Sequence, residues 1–122
     1  MLVVDDDAAV QAILRRLLES HGFLVVTTAT LSEAVAAATT QRVNAVVLDL
    51  TLSGNDSGLD VLGWLRAEPY YRDVLVLILT GATSLPEHEE EFIRRHRAFV
   101  FYKPQSYGVV IEYLNRLLHR PG

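Results

Sequence analysis

The sequence has 122 residues, half of them hydrophobic, with a formal net charge of −4 and an isoelectric point near 5.5. This size and composition predict a single packed domain over residues 1–122, either complete or cut from a longer protein. The acidic balance excludes a domain that binds nucleic acid or an anionic membrane through positive charge. The lack of cysteine excludes disulfides and thiolate zinc sites, and the lack of a signal peptide or apolar membrane span predicts a soluble, cytoplasmic protein.

Five short apolar runs predict β-strands that are covered on both faces, because they lack the alternation of half-exposed strands. In chain order they span residues 2–4, 23–27, 44–51, 74–80 and 98–102. The third run is organised around Asp49, the single carboxylate that follows its apolar stretch.

Helical patterns separate these strands. The first helix is predicted from Ala8 to the pair 21–22, where Gly22 ends it. The residues 30–33 have capping-box spacing and open a second helix that reaches about Thr40. A third helix follows Gly58 and ends before Pro69, a fourth begins at Pro86, and a fifth spans about 107–119. The predicted inner face of the first helix consists of Val10, Ile13, Leu14, Leu17 and Leu18.

Strict alternation of strands and helices predicts an α/β fold of three layers, a doubly wound parallel five-stranded sheet between helices. With the flavodoxin-like strand order 2-1-3-4-5, the carboxyl ends of four neighbouring strands meet at one edge. Polar side chains follow those ends: Asp5, Asp6, Asp7, Asp49, Thr80 and Lys103.

Clustered carboxylates are suited to a hard cation such as Mg²⁺, and an acid at a strand end is a candidate nucleophile, metal ligand or both. Acids this close repel one another, so a cation has to compensate them. Lys103 is the only lysine in the chain and is the candidate. Asp7 is expected to cap the first helix instead, because Asp is favoured at that position.

These residues resemble those of the receiver domain of bacterial two-component response regulators. The similarity covers the whole chain, with segments 3–7 (VVDDD), 46–50 (VVLDL), 79–81 (LTG) and 103–104 (KP) in the family's order and nearly at its spacing. The resemblance implies that Asp49 accepts a phosphoryl group from the phosphohistidine of a sensor histidine kinase or a histidine phosphotransfer protein, or from a small phosphodonor.

The resemblance also implies a role for each polar residue at the sheet edge. Asp6, Asp49 and the carbonyl of Thr51 would bind Mg²⁺, and Asp5 would act through water. Thr80 and Lys103 would contact phosphoryl oxygens. Phosphorylation would then change the face formed by the last strand and helices, through which a homodimer is expected to form.

Two departures from the family pattern leave alternatives open. Val100 stands where receivers usually carry an aromatic residue, and the loop after Asp49 is one residue longer before Gly58. A degenerate receiver that mainly docks or dimerises is therefore the alternative function. An aspartyl phosphatase of the haloacid dehalogenase type is disfavoured, because its second acid would stand at Thr51, so the domain is not expected to be an enzyme.

Overall fold

The computed structural model describes residues 1–52, 56–102 and 107–118. Within these residues, the five strands are β1 (Leu2–Val4), β2 (Val26–Thr28), β3 (Ala45–Asp49), β4 (Leu75–Thr80) and β5 (Phe99–Tyr102). All neighbouring pairs are parallel, and the order in the sheet is β2-β1-β3-β4-β5. The predicted fold class and strand order are confirmed.

Five helices in the same described ranges connect and follow the strands. They are α1 (Ala8–Ser20), α2 (Leu31–Thr40), α3 (Gly58–Ala67), α4 (Glu87–Arg95) and α5 (Tyr107–Leu118). None of the helices in this part of the chain combines the length and the apolar character that crossing a bilayer requires.

The sheet is covered by a separate apolar layer on each face. Alternate residues of the central strands, such as Val46 and Leu48, pack with the buried residues of α2, α3 and α4. The intervening residues, such as Ala45 and Val47, pack with α1 and α5. Because both faces are buried, the central strands β1, β3 and β4 carry consecutive apolar residues up to their carboxyl ends, which is the pattern that the sequence shows.

Several predicted limits are wrong, and the third strand, for example, spans Ala45–Asp49 and not 44–51. The second strand begins at Val26 and not at residue 23, because the Phe23 N–H bonds to the Leu18 carbonyl and so belongs to the turn that ends α1. Ile13 is 44 % exposed, whereas Leu14 and Leu18 are buried. Ile13 lies about 100° around the helix from Leu14, which places it at the edge of the buried stripe.

Candidate functional site

The register of the sheet places Asp5 and Asp49 at neighbouring positions of adjacent strands. β1 pairs with β3 so that Val4 is opposite Leu48, and the next residues along the two strands are Asp5 and Asp49. On the other side of β3, Asp49 itself is opposite Leu79. Both acids therefore lie at the carboxyl edge of the sheet, where loops rather than covering helices surround them.

Three carboxylates meet at this edge. Asp5, Asp6 and Asp49 each offer an oxygen atom, and these oxygens all lie within 4.8 Å of one another. Their environments differ, since Asp5 is only 2 % exposed, Asp49 is half-buried and Asp6 is exposed. A set of closely spaced carboxylate oxygens, partly open to water, fits Mg²⁺, which prefers oxygen ligands and retains several waters.

Hydrogen bonds hold Asp5 from several directions. Its N–H donates to the Thr28 carbonyl (3.0 Å), and one oxygen of its carboxylate accepts the N–H of Asp7 (2.9 Å). The Asp7 carboxylate turns the other way and accepts the N–H groups of Ala9 (2.9 Å) and Val10 (3.3 Å). The prediction that Asp7 caps α1 is confirmed, and Asp7 is not part of the three-acid cluster.

The chain folds back tightly after Asp49. The Thr51 N–H donates to the Asp49 carboxylate (3.3 Å), and Thr51 forms an isolated antiparallel bridge with Ser57. Ser57 then caps α3 in a capping box with Asp60. Thr51 itself is exposed.

Gly58 brings the start of α3 against the backbone of Asp49. Its N–H donates to the Leu50 carbonyl (2.8 Å). A Cβ at Gly58 would overlap the Asp49 carbonyl oxygen and approach the Asp49 carbonyl carbon and the Leu50 Cα to 2.9 Å. The sequence predicts for Gly58 only that the third helix follows it, and no pattern in a single sequence reports this backbone contact.

Thr80 ends β4 as predicted. It is 4 % exposed and lies one residue beyond Leu79, the partner of Asp49. Its Oγ1 accepts the N–H of Ala82 (3.2 Å) and so keeps its own proton available for donation. Lys103 lies outside the described residues, and its proposed role stays a prediction.

Val100 and Tyr102 point to the same side of β5, as strand alternation predicts. Both line a groove of about 400 Å³ between α4 and β5, together with Ile93 and Ala98. Glu90 and Arg94 of α4 and Arg97, which follows the helix, also line it. The residue that replaces the expected aromatic is therefore a half-buried side chain facing α4.

The fold and site define a class of protein: a doubly wound α/β domain with an acid-lined pocket at the carboxyl edge of its sheet. The sequence matches the response regulator receiver domain family over residues 1–115, and the chain belongs to that family. It is thus a signalling domain of two-component systems, in which receiver domains interact with sensor kinases.

Several transcriptional regulators are similar in sequence. The chain is 35 % identical over 122 residues to the probable transcriptional regulatory protein TcrX of Mycobacterium tuberculosis, covering all of this chain and 50 % of TcrX. It is 40 % identical over 87 residues to PrrA of the same organism, covering 71 % of this chain and 36 % of PrrA. The chain therefore spans half or less of the length of these curated relatives.

Solved structures of other proteins share the fold. The chemotaxis protein CheY4 of Vibrio cholerae has a TM-score of 0.84 at 24 % identity, with 96 % of each chain covered. NtrX of Brucella abortus has a TM-score of 0.83 at 25 % identity, covering 97 % of this chain and 26 % of NtrX.

Proposed function

We propose that this domain accepts a phosphoryl group on Asp49 from the phosphohistidine of a sensor histidine kinase or a histidine phosphotransfer protein, in a reaction that requires Mg²⁺. The observation that carries the proposal is the cluster of Asp5, Asp6 and Asp49, whose oxygens lie within 4.8 Å of one another in a member of the receiver family. Of the three, Asp49 stands at the end of a central strand, half-buried between neighbours.

In the proposed reaction, a carboxylate oxygen of Asp49 attacks phosphorus while the bond from phosphorus to the imidazole nitrogen of the donor breaks. The imidazole nitrogen keeps the electron pair of that bond. Asp6, Asp49 and the Thr51 carbonyl would hold Mg²⁺ directly and Asp5 through water. The bound ion would neutralise charge between the carboxylates and the phosphoryl oxygens.

Thr80 and Lys103 are proposed to contact the transferred phosphoryl group. The Thr80 hydroxyl would donate to one oxygen and the Lys103 ammonium to another, since a compact charge on a flexible stem suits this role. Positioning and charge neutralisation supply most of the catalysis in phosphoryl transfer. The domain would thus promote only its own phosphorylation and dephosphorylation and act as a signalling domain in the cytoplasm, not as an enzyme.

Replacement of Asp49 by asparagine tests the phosphoacceptor. We expect Asp49→Asn to abolish labelling by radioactive acetyl phosphate with Mg²⁺, because the amide is a poor nucleophile. Asp73→Asn is the matched control, since the Asp73 side chain is 86 % exposed and lies at the other end of β4; it should be labelled like the wild type. Equal labelling of Asp49→Asn and the wild type would contradict the proposal.

The alternative function is a receiver that acts mainly by docking or dimerising through the face formed by α4, β5 and α5. The specific observation in its favour is Val100, whose small side chain faces the groove beside α4. Under this alternative, adding beryllofluoride with Mg²⁺ changes neither the spectrum of the protein nor its oligomeric state. In the switching function, the same treatment changes that face and promotes a homodimer.

A further inference from the structure

A side chain of α1 reaches back to the turn that carries two of the three acids. Gln11 Nε2 donates to the Asp5 carbonyl oxygen (2.6 Å) and to the Thr28 carbonyl oxygen (3.0 Å). The Gln11 N–H also donates to the Asp7 carbonyl (3.0 Å) as the first hydrogen bond of α1. One residue therefore contacts the backbone at the ends of β1 and β2 and in the turn after β1.

The chemistry of the contacts fixes the orientation of the Gln11 amide. Both partners are backbone carbonyls, which only accept, so the –NH₂ group and not the oxygen of the amide has to face them. The Thr28 carbonyl accepts a second bond, from the Asp5 N–H (3.0 Å). The amide thus joins two neighbouring strand ends that are already in register at Val4 and Thr28.

The carbonyl that Gln11 holds belongs to the peptide group between Asp5 and Asp6. The orientation of that peptide sets the direction in which the Cα and side chain of Asp6 leave the turn. Asp6 is the exposed member of the cluster and follows this peptide group directly.

We infer that Gln11 is a positioning residue, which fixes the peptide between Asp5 and Asp6 so that both carboxylates face Asp49 at a distance that suits Mg²⁺. The inference rests on the proposed function for the identity of the cation. Groups that orient metal ligands strengthen metal binding without touching the metal, because the ligands do not have to be reordered on binding.

Two substitutions at Gln11 separate positioning from a direct electrostatic effect. Gln11→Ala removes both donors. Gln11→Glu keeps the size of the side chain but places acceptors against two carbonyls, and it adds a negative charge near the acids. If the charge alone mattered, Glu would strengthen Mg²⁺ binding. If positioning matters, both variants weaken it.

The measurement is isothermal titration of each protein with Mg²⁺, without a phosphodonor. We expect the dissociation constant to rise about tenfold in Gln11→Ala and in Gln11→Glu. Gln41→Ala is the matched control, because Gln41 follows α2 at the opposite edge of the sheet and should bind like the wild type. Tighter binding by Gln11→Glu, or wild-type affinity in Gln11→Ala, would overturn the inference.

Amide hydrogen exchange in the metal-free protein tests the hydrogen bonds themselves. We expect faster exchange at Asp7, whose N–H bonds to the Asp5 carboxylate, in both Gln11 variants, and unchanged exchange at Val47 in β3. If Gln11→Ala does not fold, Gln11→Glu serves for both measurements. Unchanged exchange at Asp7 in a folded variant would refute the positioning role.

The two measurements also separate this inference from the proposed function. Failure of the wild type to bind Mg²⁺ would contradict the proposed cation site, while the exchange at Asp7 would still decide whether Gln11 holds the turn. Wild-type binding that is insensitive to Gln11 would leave the phosphoacceptor intact and remove only the positioning role.

Discussion

Gly58 shows at the scale of one residue how the candidate site depends on backbone contact. The first turn of α3 lies against the carbonyl of Asp49, where backbone atoms leave no room for a Cβ. Backbone cannot move aside as a flexible side chain can. Any residue other than glycine at this position would have to push α3 away from the end of β3.

We therefore expect Gly58→Ala to lower the free energy of unfolding by about 2 kcal/mol, as overpacking in a core does. It should also slow labelling of Asp49, whose backbone would shift. Urea unfolding and acetyl phosphate labelling are the measurements. Gly63→Ala in the same helix is the control, because its new Cβ would only meet the Phe92 ring edge at 3.7 Å.

The control is expected to behave in the opposite way. Alanine is a better helix former than glycine by about 1 kcal/mol, so Gly63→Ala should leave stability unchanged or raise it. Equal effects of the two substitutions would show that helix propensity, and not the contact with Asp49, decides the cost at Gly58.

The predictable part of the site consists of residues whose position follows from local sequence. Asp5, Asp6 and Asp49 come directly after apolar runs, and the parallel sheet brings such ends together. Gly58 and Gln11 could not be found in this way. Their roles depend on contacts with backbone atoms of distant residues, which no single-sequence periodicity encodes.

At the scale of the elements, α1 and α4 end in the same hydrogen-bonded turn. In α1 the N–H groups of Gly22 and Phe23 bond to the carbonyls of Glu19 and Leu18. In α4 the N–H groups of Arg97 and Ala98 bond to those of Arg94 and Ile93. This is the Schellman motif, in which the residue after the cap is left-handed.

The two turns differ in the residue that takes the left-handed conformation. Gly22 has φ 89° and Arg97 has φ 58°. A residue with a side chain loses about 1 kcal/mol of stability in this left-handed conformation, whereas glycine adopts it without strain. Arg97 has compensating contacts, since its guanidinium donates to the Arg72 carbonyl (2.8 Å) and lies 3.8 Å from the Asp73 carboxylate.

Substitutions at Arg97 separate the strain from the contacts. We expect Arg97→Gly to be more stable than Arg97→Ala by about 1 kcal/mol, because both lose the contacts of the arginine but only glycine relieves the strain. Thermal and urea unfolding of the two variants give the difference. At the matched position, Gly22→Ala should lower the free energy of unfolding by about the same amount. No atom lies within 4 Å of its new Cβ, so only the backbone strain is added. Equal stability of the two Arg97 variants would contradict this account.

Arg66 of α3 connects the C-terminus of α4 with the segment that precedes β4. Its guanidinium donates to the carbonyls of His96 (2.7 Å), Tyr71 (2.8 Å) and Val74 (2.8 Å). Burial lowers the pKa of Arg66, and the nearby charge of Arg97 lowers it further, while Asp73 raises it. The side chain thus stabilises this junction through its fixed array of donors.

The limits of each element were predicted less well than its existence. The N-cap at Thr30 is correct, since its hydroxyl accepts the Glu33 N–H (3.1 Å). The Glu33 carboxylate, however, accepts the N–H of Ala29 and not that of Thr30. Such differences of one residue arise because individual hydrogen bonds decide the ends, whereas periodicity describes only the interior of an element.

At the scale of the whole molecule, the order of the sheet follows from simple rules of chain connection. Right-handed crossovers and burial of both faces leave few arrangements for five strands alternating with helices. The fold also connects the sheet edge that carries Asp49 with the groove beside α4. β4 carries Thr80 at the edge with Asp49 and pairs along its length with β5, which lines the groove beside α4.

Thr80 is therefore the residue through which phosphorylation is expected to reach this groove. Its hydroxyl now accepts the N–H of Ala82, in the segment that leads to α4. A phosphoryl oxygen on Asp49 would attract the hydroxyl proton and draw this segment toward the site. A phosphoryl group shifts the equilibrium between an inactive and an active conformation only through a difference in its contacts with the two. The hydrogen bond from Thr80 would supply part of that difference.

We expect Thr80→Val to lose most of the response to beryllofluoride and Mg²⁺, while Thr80→Ser, which keeps the hydroxyl, retains it. A hydrogen bond to a charged group contributes about 2 kcal/mol, so its loss should move the equilibrium back by at least about tenfold. Sedimentation velocity and amide exchange of α4 and β5 measure the response, and labelling by acetyl phosphate shows whether Asp49 still reacts. A wild-type response that persists in Thr80→Val would exclude this route. No response in any of the three proteins, despite labelling of Asp49, would favour the docking module, because the acid pocket would then react without changing the face that partners contact.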